Sequence, residues 1–227
     1  MSRIFDYSIL LQSLSGTRTT NLIGSFRLSQ INTYSIQRQL KAAGINTNSG
    51  QYKAALREMT KNGNGAMYTN IQGIKNLMRN YNKDGDFVDP VTGLTGLLVT
   101  DQNKASKNRI ISIPEASKEE MFELTKKEFL REDGILNGDT TKRSDVYIHM
   151  YRNVQKNDRL AAGHTLEQYE RAYRQAFIRA AKAANPSWEP GVPIEEGALD
   201  SVTREDVEKN LKVSGSSLKY TALDTKA

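Results

Sequence analysis

Between positions 80 and 89 the chain reads Asn-Tyr-Asn-Lys-Asp-Gly-Asp-Phe-Val-Asp, and five of these residues carry a carboxamide or carboxylate. Asn80, Asn82, Asp84 and Asp86 alternate along the chain, and Asp89 follows three residues later. Hard cations such as Ca2+ are held by about six to eight oxygens at roughly 2.4 Å. Alternate side chains of a tight loop turn their oxygens to one side, and Gly85 permits the sharp bend because it accepts φ > 0 without a Cβ clash. The same residue types also favour metal-free polar turns. Asn80, Asn82, Asp84, Asp86 and Asp89 are therefore a candidate Ca2+ loop, with a plain helix-ending turn as the other reading.

This stretch resembles the calcium loop of the EF-hand family, in which D-x-[DN]-x-[DN]-G is followed by a backbone oxygen ligand. On that resemblance Asn80, Asn82 and Asp84 occupy the first, third and fifth places, and Gly85 the sixth. Asp86 offers its backbone oxygen at the seventh. An apolar-striped helix leads into the loop, as the resemblance requires. The first ligand is Asn rather than Asp, and Val91 stands where the family keeps a bidentate Glu. Pro90 opposes an incoming helix there. The resemblance implies weak binding of a structural kind.

Charge is the second chemical feature. Residues 1–83 hold eleven Lys or Arg against Asp6 and Glu58, whereas residues 84–140 hold twelve Asp or Glu against seven Lys or Arg; the whole chain is +6. A cationic third can bind phosphates or an acidic partner, releasing counterions as it does so. Lys53, Arg57 and Lys61 are four apart, which places them on one helical stripe, with Arg38 and Lys41 on the helix before. These five cations are the candidate anion or nucleic-acid contacts. A helix-turn-helix is suggested by the two helices around Gly44, but Asn46-Thr47-Asn48-Ser49-Gly50 makes the turn longer than that motif uses.

Other chemistries are excluded or weak. The chain has no cysteine and two histidines, His149 and His164. This excludes a disulfide scaffold, a Cys-ligated zinc site, an Fe–S cluster and a thiol nucleophile. Asp145 and His149 are four apart and permit an acid–base pair on one helix face, but a lone His in this setting is usually structural. Glu119, Glu120 and Glu123 read as a solvated face. Nucleotide-binding, hydrolase and zincin motifs are missing, so no catalytic residue and no organic cofactor are assigned. No run approaches the roughly 18 apolar residues of a membrane span. Asp6, Ser8 and Gln12 break the opening apolar run, so no cleaved signal is expected; cytoplasm and leaderless export both remain open.

The elements that must position these residues are helices. Ile36, Leu40 and Ala43 share a face that ends at Gly44. Tyr52, Ala55, Leu56 and Met59 mark a second helix, and a Thr69/Gln72 capping box opens a third along Ile71, Ile74 and Met78. Met121, Leu124 and Phe129 define a fourth, opened near Pro114 and Ser117, and Tyr147 to Val154 a fifth, capped at Ser144 or Asp145. A capping box at Thr165/Gln168 opens the strongest stripe, Leu166, Tyr169, Tyr173, Ala176, Phe177 and Ala180, which stops before Asn185-Pro186. Thr203 to Leu211 forms a short helix. Leu97-Leu98-Val99 and Ile110 to Ile113 read as two short strands. The fold class is mainly α, with about seven helices and a small two-stranded β element near 97–113. The expected divisions are a flexible arm over 1–31, a basic helical region over 32–83, the polar loop and ribbon over 84–113, a helical region over 114–212 and a flexible tail over 213–227.

The segments from Glu119 to Leu130 and from Gly163 to Phe177, together with the Asn82-Lys-Asp-Gly-Asp86 stretch, resemble an uncharacterised bacterial protein family, a domain of unknown function, from about Thr33 onward. The resemblance implies a bacterial source and brings no activity or site. The expected function is a non-enzymatic binding or structural protein that engages an unknown protein partner, with nucleic acid as the alternative.

Overall fold

In a computed structural model, the described residues are 24–61, 67–135 and 141–221. They fall into two compact units divided at Asp86/Phe87. Among the described residues, seven helices and two small two-stranded sheets make the fold mainly α. Within the described residues no helix is long and apolar enough to cross a membrane.

The first unit holds α1 (Tyr34–Ala42), α2 (Gly50–Thr60) and α3 (Ile71–Met78). Ile36 and Leu40, one turn apart on α1, are both buried. The helix stops because Gly44 takes φ +76° and its N–H bonds the Lys41 carbonyl, while Ile45 N–H bonds back to Leu40. This six-to-one, five-to-two pair satisfies two end carbonyls and folds Ile45 onto Leu40. Ser49 caps α2 by accepting the Tyr52 N–H at 3.1 Å. Asn70, rather than the expected Thr69, caps α3 by accepting the Gly73 N–H at 2.7 Å.

The expected arm over 1–31 differs in its last third. Phe26, Leu28 and Ile31 are buried with Ile36, Leu40, Ile45, Tyr52 and Ile74 in one core. Phe26–Arg27 (β1) pairs antiparallel with Tyr68–Thr69 (β2), and Leu28–Gln30 makes a single 3-10 turn. Elements of two and three residues carry no readable period, so the sequence pattern could not reveal them. Residues 1–23 lie outside the described residues.

The second unit is built on α4 (Glu115–Arg131), α5 (Thr141–Arg152) and the 26-residue α6 (Arg159–Ala184). The core is aromatic. Phe122 meets Tyr173 edge-on at 5.2 Å between ring centres, and Phe129 meets both Phe177 and Trp188. Trp188 itself is buried and donates its indole N–H to the Val192 carbonyl. Short α7 (Arg204–Lys209) leads into a hairpin of β3 (Leu211–Ser214) and β4 (Ser217–Tyr220). This hairpin stands in most of the stretch expected as a loose tail. Arg179 of α6 stacks on Tyr220, and His164 bonds the Ser216 carbonyl.

Two expectations fail here. The β element does not form at 97–113. Asn103 bonds the Thr100 amide and the Leu98 carbonyl and folds that stretch into local turns. Ile111 donates its N–H to Thr165 Oγ1, and Ile113 is buried in the helical core. The first run is thus held in local turns, and the second joins the helical core. The capping box at Thr165 is also not a helix start. α6 is already running, and the Thr165 hydroxyl donates to the Ala161 carbonyl four residues back, as mid-helix threonines do.

Gly163, in the body of α6, accounts for part of that geometry. A Cβ there would land on the hydroxyl of Tyr151, whose phenol is pushed up to about 12 by burial. In an open helix Gly→Ala stabilises by up to about 1 kcal/mol. Here overpacking reverses the sign: Gly163→Ala should lower stability by about 1–2 kcal/mol. Urea unfolding of the two proteins measures this, and a raised midpoint would show that the Tyr151 ring moves aside.

Candidate functional site

The polar loop begins where α3 ends. Asn82 is its hub: its Oδ1 accepts the amides of Asp84 at 3.0 Å and Asp86 at 2.9 Å, and its Nδ2 approaches Asp86 Oδ2 at 3.3 Å. Its backbone N–H bonds the Asp86 carbonyl, and the Gly85 N–H bonds the Asn82 carbonyl. Gly85 adopts φ +89° at the turn. The loop is thus closed by its own hydrogen bonds.

The loop is also pressed onto α2. A Cβ on Gly50 would meet the carbonyl carbon and oxygen of Asp84 at 2.5 Å, and one on Gly85 would meet the Gly50 oxygen at 2.7 Å. Two backbones touch here with no room for a side chain on either. Gln51 adds a bond from its amide to the Tyr81 carbonyl at 2.7 Å. Of the candidate metal ligands, Asn80, Asn82, Asp84 and Asp86 belong to this unit. Asp89 belongs to the second unit, where it is buried and caps a turn: its Oδ1 accepts from the Val91 and Thr92 amides and from the Thr92 hydroxyl. Among the described residues, no group of three or more His, Cys, Asp or Glu is arranged to hold a metal ion.

The cations are arranged differently. Arg38 and Lys41 on α1, Lys53 and Arg57 on α2, and Lys61 just beyond α2 are all exposed. None of the five forms an ion pair among the described residues. Tyr34, 83% exposed, lies one turn before Arg38 on α1. On α2 the face bearing Gly50, Lys53, Leu56, Arg57 and Thr60 forms one wall of a groove. The other wall is Leu28, Ser29, Ile31 and Asn32, with Asp84 at the Gly50 end. That second wall was invisible in the sequence; the apolar triplet Phe26, Leu28 and Ile31 was its only trace.

In the second unit, three partly buried cations, Lys118, Arg143 and Arg204, are each held by two or more carboxylates. Arg143 bonds Glu128 at 2.7 Å and Glu170 at 2.9 Å, joining α5 to α4 and α6. Burial raises the Glu170 carboxyl above its usual range, and Arg143 opposes that rise. Lys118 reaches Glu115 and Glu208, and Arg204 reaches Glu115, Glu119 and Glu208. Tyr173 donates its hydroxyl to Glu208 at 2.6 Å, and burial raises its pKa. These contacts tie α7 to α4 and α6. Asp145 and His149 do not form the pair that their spacing permits. Both are exposed, and His149 Nδ1 lies 3.0 Å from Glu120. Of the four tyrosines at helical spacing, Tyr173 is fully buried, and Tyr147, Tyr151 and Tyr169 pack against the same core.

Residues 45–227 match the model of a family described as a domain of unknown function, DUF3879. The chain belongs to this family. No curated protein and no solved structure matches it. The matched span takes in α2 and the polar loop, and it starts after α1 and the Leu28–Asn32 wall of the groove.

The Gly50–Gly85 contact makes a direct prediction. Gly85→Ala forces a Cβ into the left-handed region, at about 1–2 kcal/mol, and into the Gly50 backbone as well. A loss of at least about 2 kcal/mol is expected in chemical unfolding. Asn82→Ala, which removes the loop's hub without a clash, should cost about 1–2 kcal/mol. A wild-type midpoint for Gly85→Ala would mean that the two backbones separate easily.

Proposed function

We propose that this protein is a non-enzymatic binding protein whose first unit presents a cationic face to an anionic partner, in the first place an acidic protein. The observation that carries the reading is the state of the five cations: Arg38, Lys41, Lys53, Arg57 and Lys61 are exposed and form no ion pair among the described residues, while Lys118, Arg143 and Arg204 of the other unit are each held by two or more carboxylates. Exposed cations can neutralise the charges of a polyanion, and the release of the counterions condensed on that polyanion favours association.

Nucleic acid is the second reading, favoured by one feature. Tyr34 stands exposed one turn from Arg38, and an exposed ring beside cations can stack on a base. A sequence-reading helix-turn-helix is not supported, because residues 43–49 separate α1 from α2, more than the three or four residues of that motif.

The same loop that packs on Gly50 is proposed as a weak structural Ca2+ site through Asn80, Asn82, Asp84 and Asp86. Gly85 in the left-handed region and four oxygen-bearing side chains within seven residues support it. Because hydrogen bonds already close the turn, an ion adds little order, and affinity in the millimolar range is expected. Calorimetric Ca2+ titration of chelator-treated protein should give heat that Asp84→Ala abolishes. Identical heats for both proteins would remove the site.

The binding reading is tested by fluorescence titration with two labelled polyanions, polyglutamate and a short DNA duplex. With about four cations engaged, duplex affinity should fall roughly a hundredfold between 50 and 200 mM salt. Lys53→Glu combined with Arg57→Glu should abolish binding of the preferred probe. Failure of both probes to bind at low salt would sink the reading.

A further inference from the structure

Resting on the cationic reading above, we infer that the groove between α2 and the Leu28–Asn32 turn is a docking site for an acidic peptide segment with an apolar anchor. The α2 wall alternates the two chemistries. Lys53 and Arg57 stand one helical turn apart, and Leu56 lies between them on the same face. Positions i, i+3 and i+4 form one patch about a turn long. Leu56 packs against the core that holds Leu28 and Ile31 but is only partly buried, so the floor of the groove is apolar and part of Leu56 stays open to solvent. A segment that fills this patch needs two carboxylates spaced to meet Lys53 and Arg57, and an aliphatic side chain between them to cover Leu56.

The groove also has a direction. Asp84 sits at the Gly50 end, and the docked loop backbone holds it there. Its charge repels a carboxylate at that end and favours a basic or neutral residue. Thr60, at the other end, spends its hydroxyl on the carbonyls of Leu56 and Arg57 and so offers bulk rather than a donor. The occupant therefore runs from a basic or neutral residue beside Asp84 to its acidic residues beside Lys53 and Arg57. This pattern suits a peptide better than a nucleic-acid backbone, whose phosphates are uniformly anionic and bring no aliphatic anchor.

The test uses the full chain and labelled synthetic peptides. One peptide carries two Glu a helical turn apart with Leu between them; its twin carries Gln in place of that Leu. The Leu peptide should bind about tenfold or more tighter than its twin, the expectation for one aliphatic side chain leaving water. Lys53→Glu with Arg57→Glu should abolish both. Ser29 is exposed on the opposite wall, so Ser29→Trp should fill the groove without disturbing the core. It should erase the preference for the Leu peptide and leave polyglutamate binding intact. Equal affinity for the two peptides, with both lost on charge reversal, overturns the groove and leaves the cationic face standing. Tight duplex binding that Ser29→Trp does not change, with neither peptide bound, assigns the face to nucleic acid and overturns the inference. No binding of any anionic probe removes both readings.

Discussion

In the first unit, the contact between the backbones of Gly50 and Gly85 is the constraint on which the rest depends. No side chain fits between them, so the start of α2 and the loop after α3 are held at one separation. The shape of the groove depends on that distance. It sets Asp84 at one end of the groove, beside the α2 face that carries Lys53 and Arg57. It also lets Gln51 reach the Tyr81 carbonyl. A loop rich in Asn, Asp and Gly would otherwise be a flexible connection. Here Asn82 binds two amides with one oxygen, and Gly85 takes a conformation that an L side chain rarely adopts.

The loop accordingly has a structural use that needs no ion. Its carboxamide hub does within the turn what a cation does in a metal loop: it gathers the chain around one centre. The charges differ, however. Asp84 stays exposed, and Asp89 is occupied in a turn of the other unit. An EF-hand pattern with its last ligand missing is thus compatible with a turn that keeps the pattern's geometry through hydrogen bonds.

What the sequence made legible follows from period. Ile36 and Leu40 with Gly44 fixed α1 and its end, and the Leu166–Ala180 stripe with Asn185-Pro186 fixed the body and end of α6. Long elements repeat their face several times, so the pattern survives local exceptions. The misses are short or long-range. Phe26, Leu28 and Ile31 enter the core from elements of two or three residues. Thr165 imitates a cap because its hydroxyl can bond backbone in either setting, and its bond to the Ala161 carbonyl four residues back, inside a helix already running from Arg159, shows which setting holds. The cations were legible from spacing and local charge, Lys53, Arg57 and Lys61 as a stripe and Arg38 and Lys41 on the helix before. The groove beside them was not, because its second wall comes from the segment that looked least structured.

The second unit uses some of its charges to hold its packing, whereas the five cations of the first stand outside its core, and this bears on what each can do. In the second, the side chains of Arg143 and Lys118 are only 13% and 10% exposed; Arg143 is satisfied by carboxylates of two other helices, and Lys118 by Glu115 of its own helix and Glu208 of α7. Removing one partner there would leave a charge in a poorly solvated site, so those charges fix the packing of α4, α5, α6 and α7 and are not available to a ligand. In the first unit the core is apolar and the cations are outside it, so none is needed to hold the helices together. A charge that the fold does not use, placed on a face that the fold holds rigid, can be changed without unfolding the protein. That separation is what makes the cationic face open to experiment: a reversed charge at Lys53 or Arg57 alters what the surface attracts and leaves the contact at Gly50 as it was.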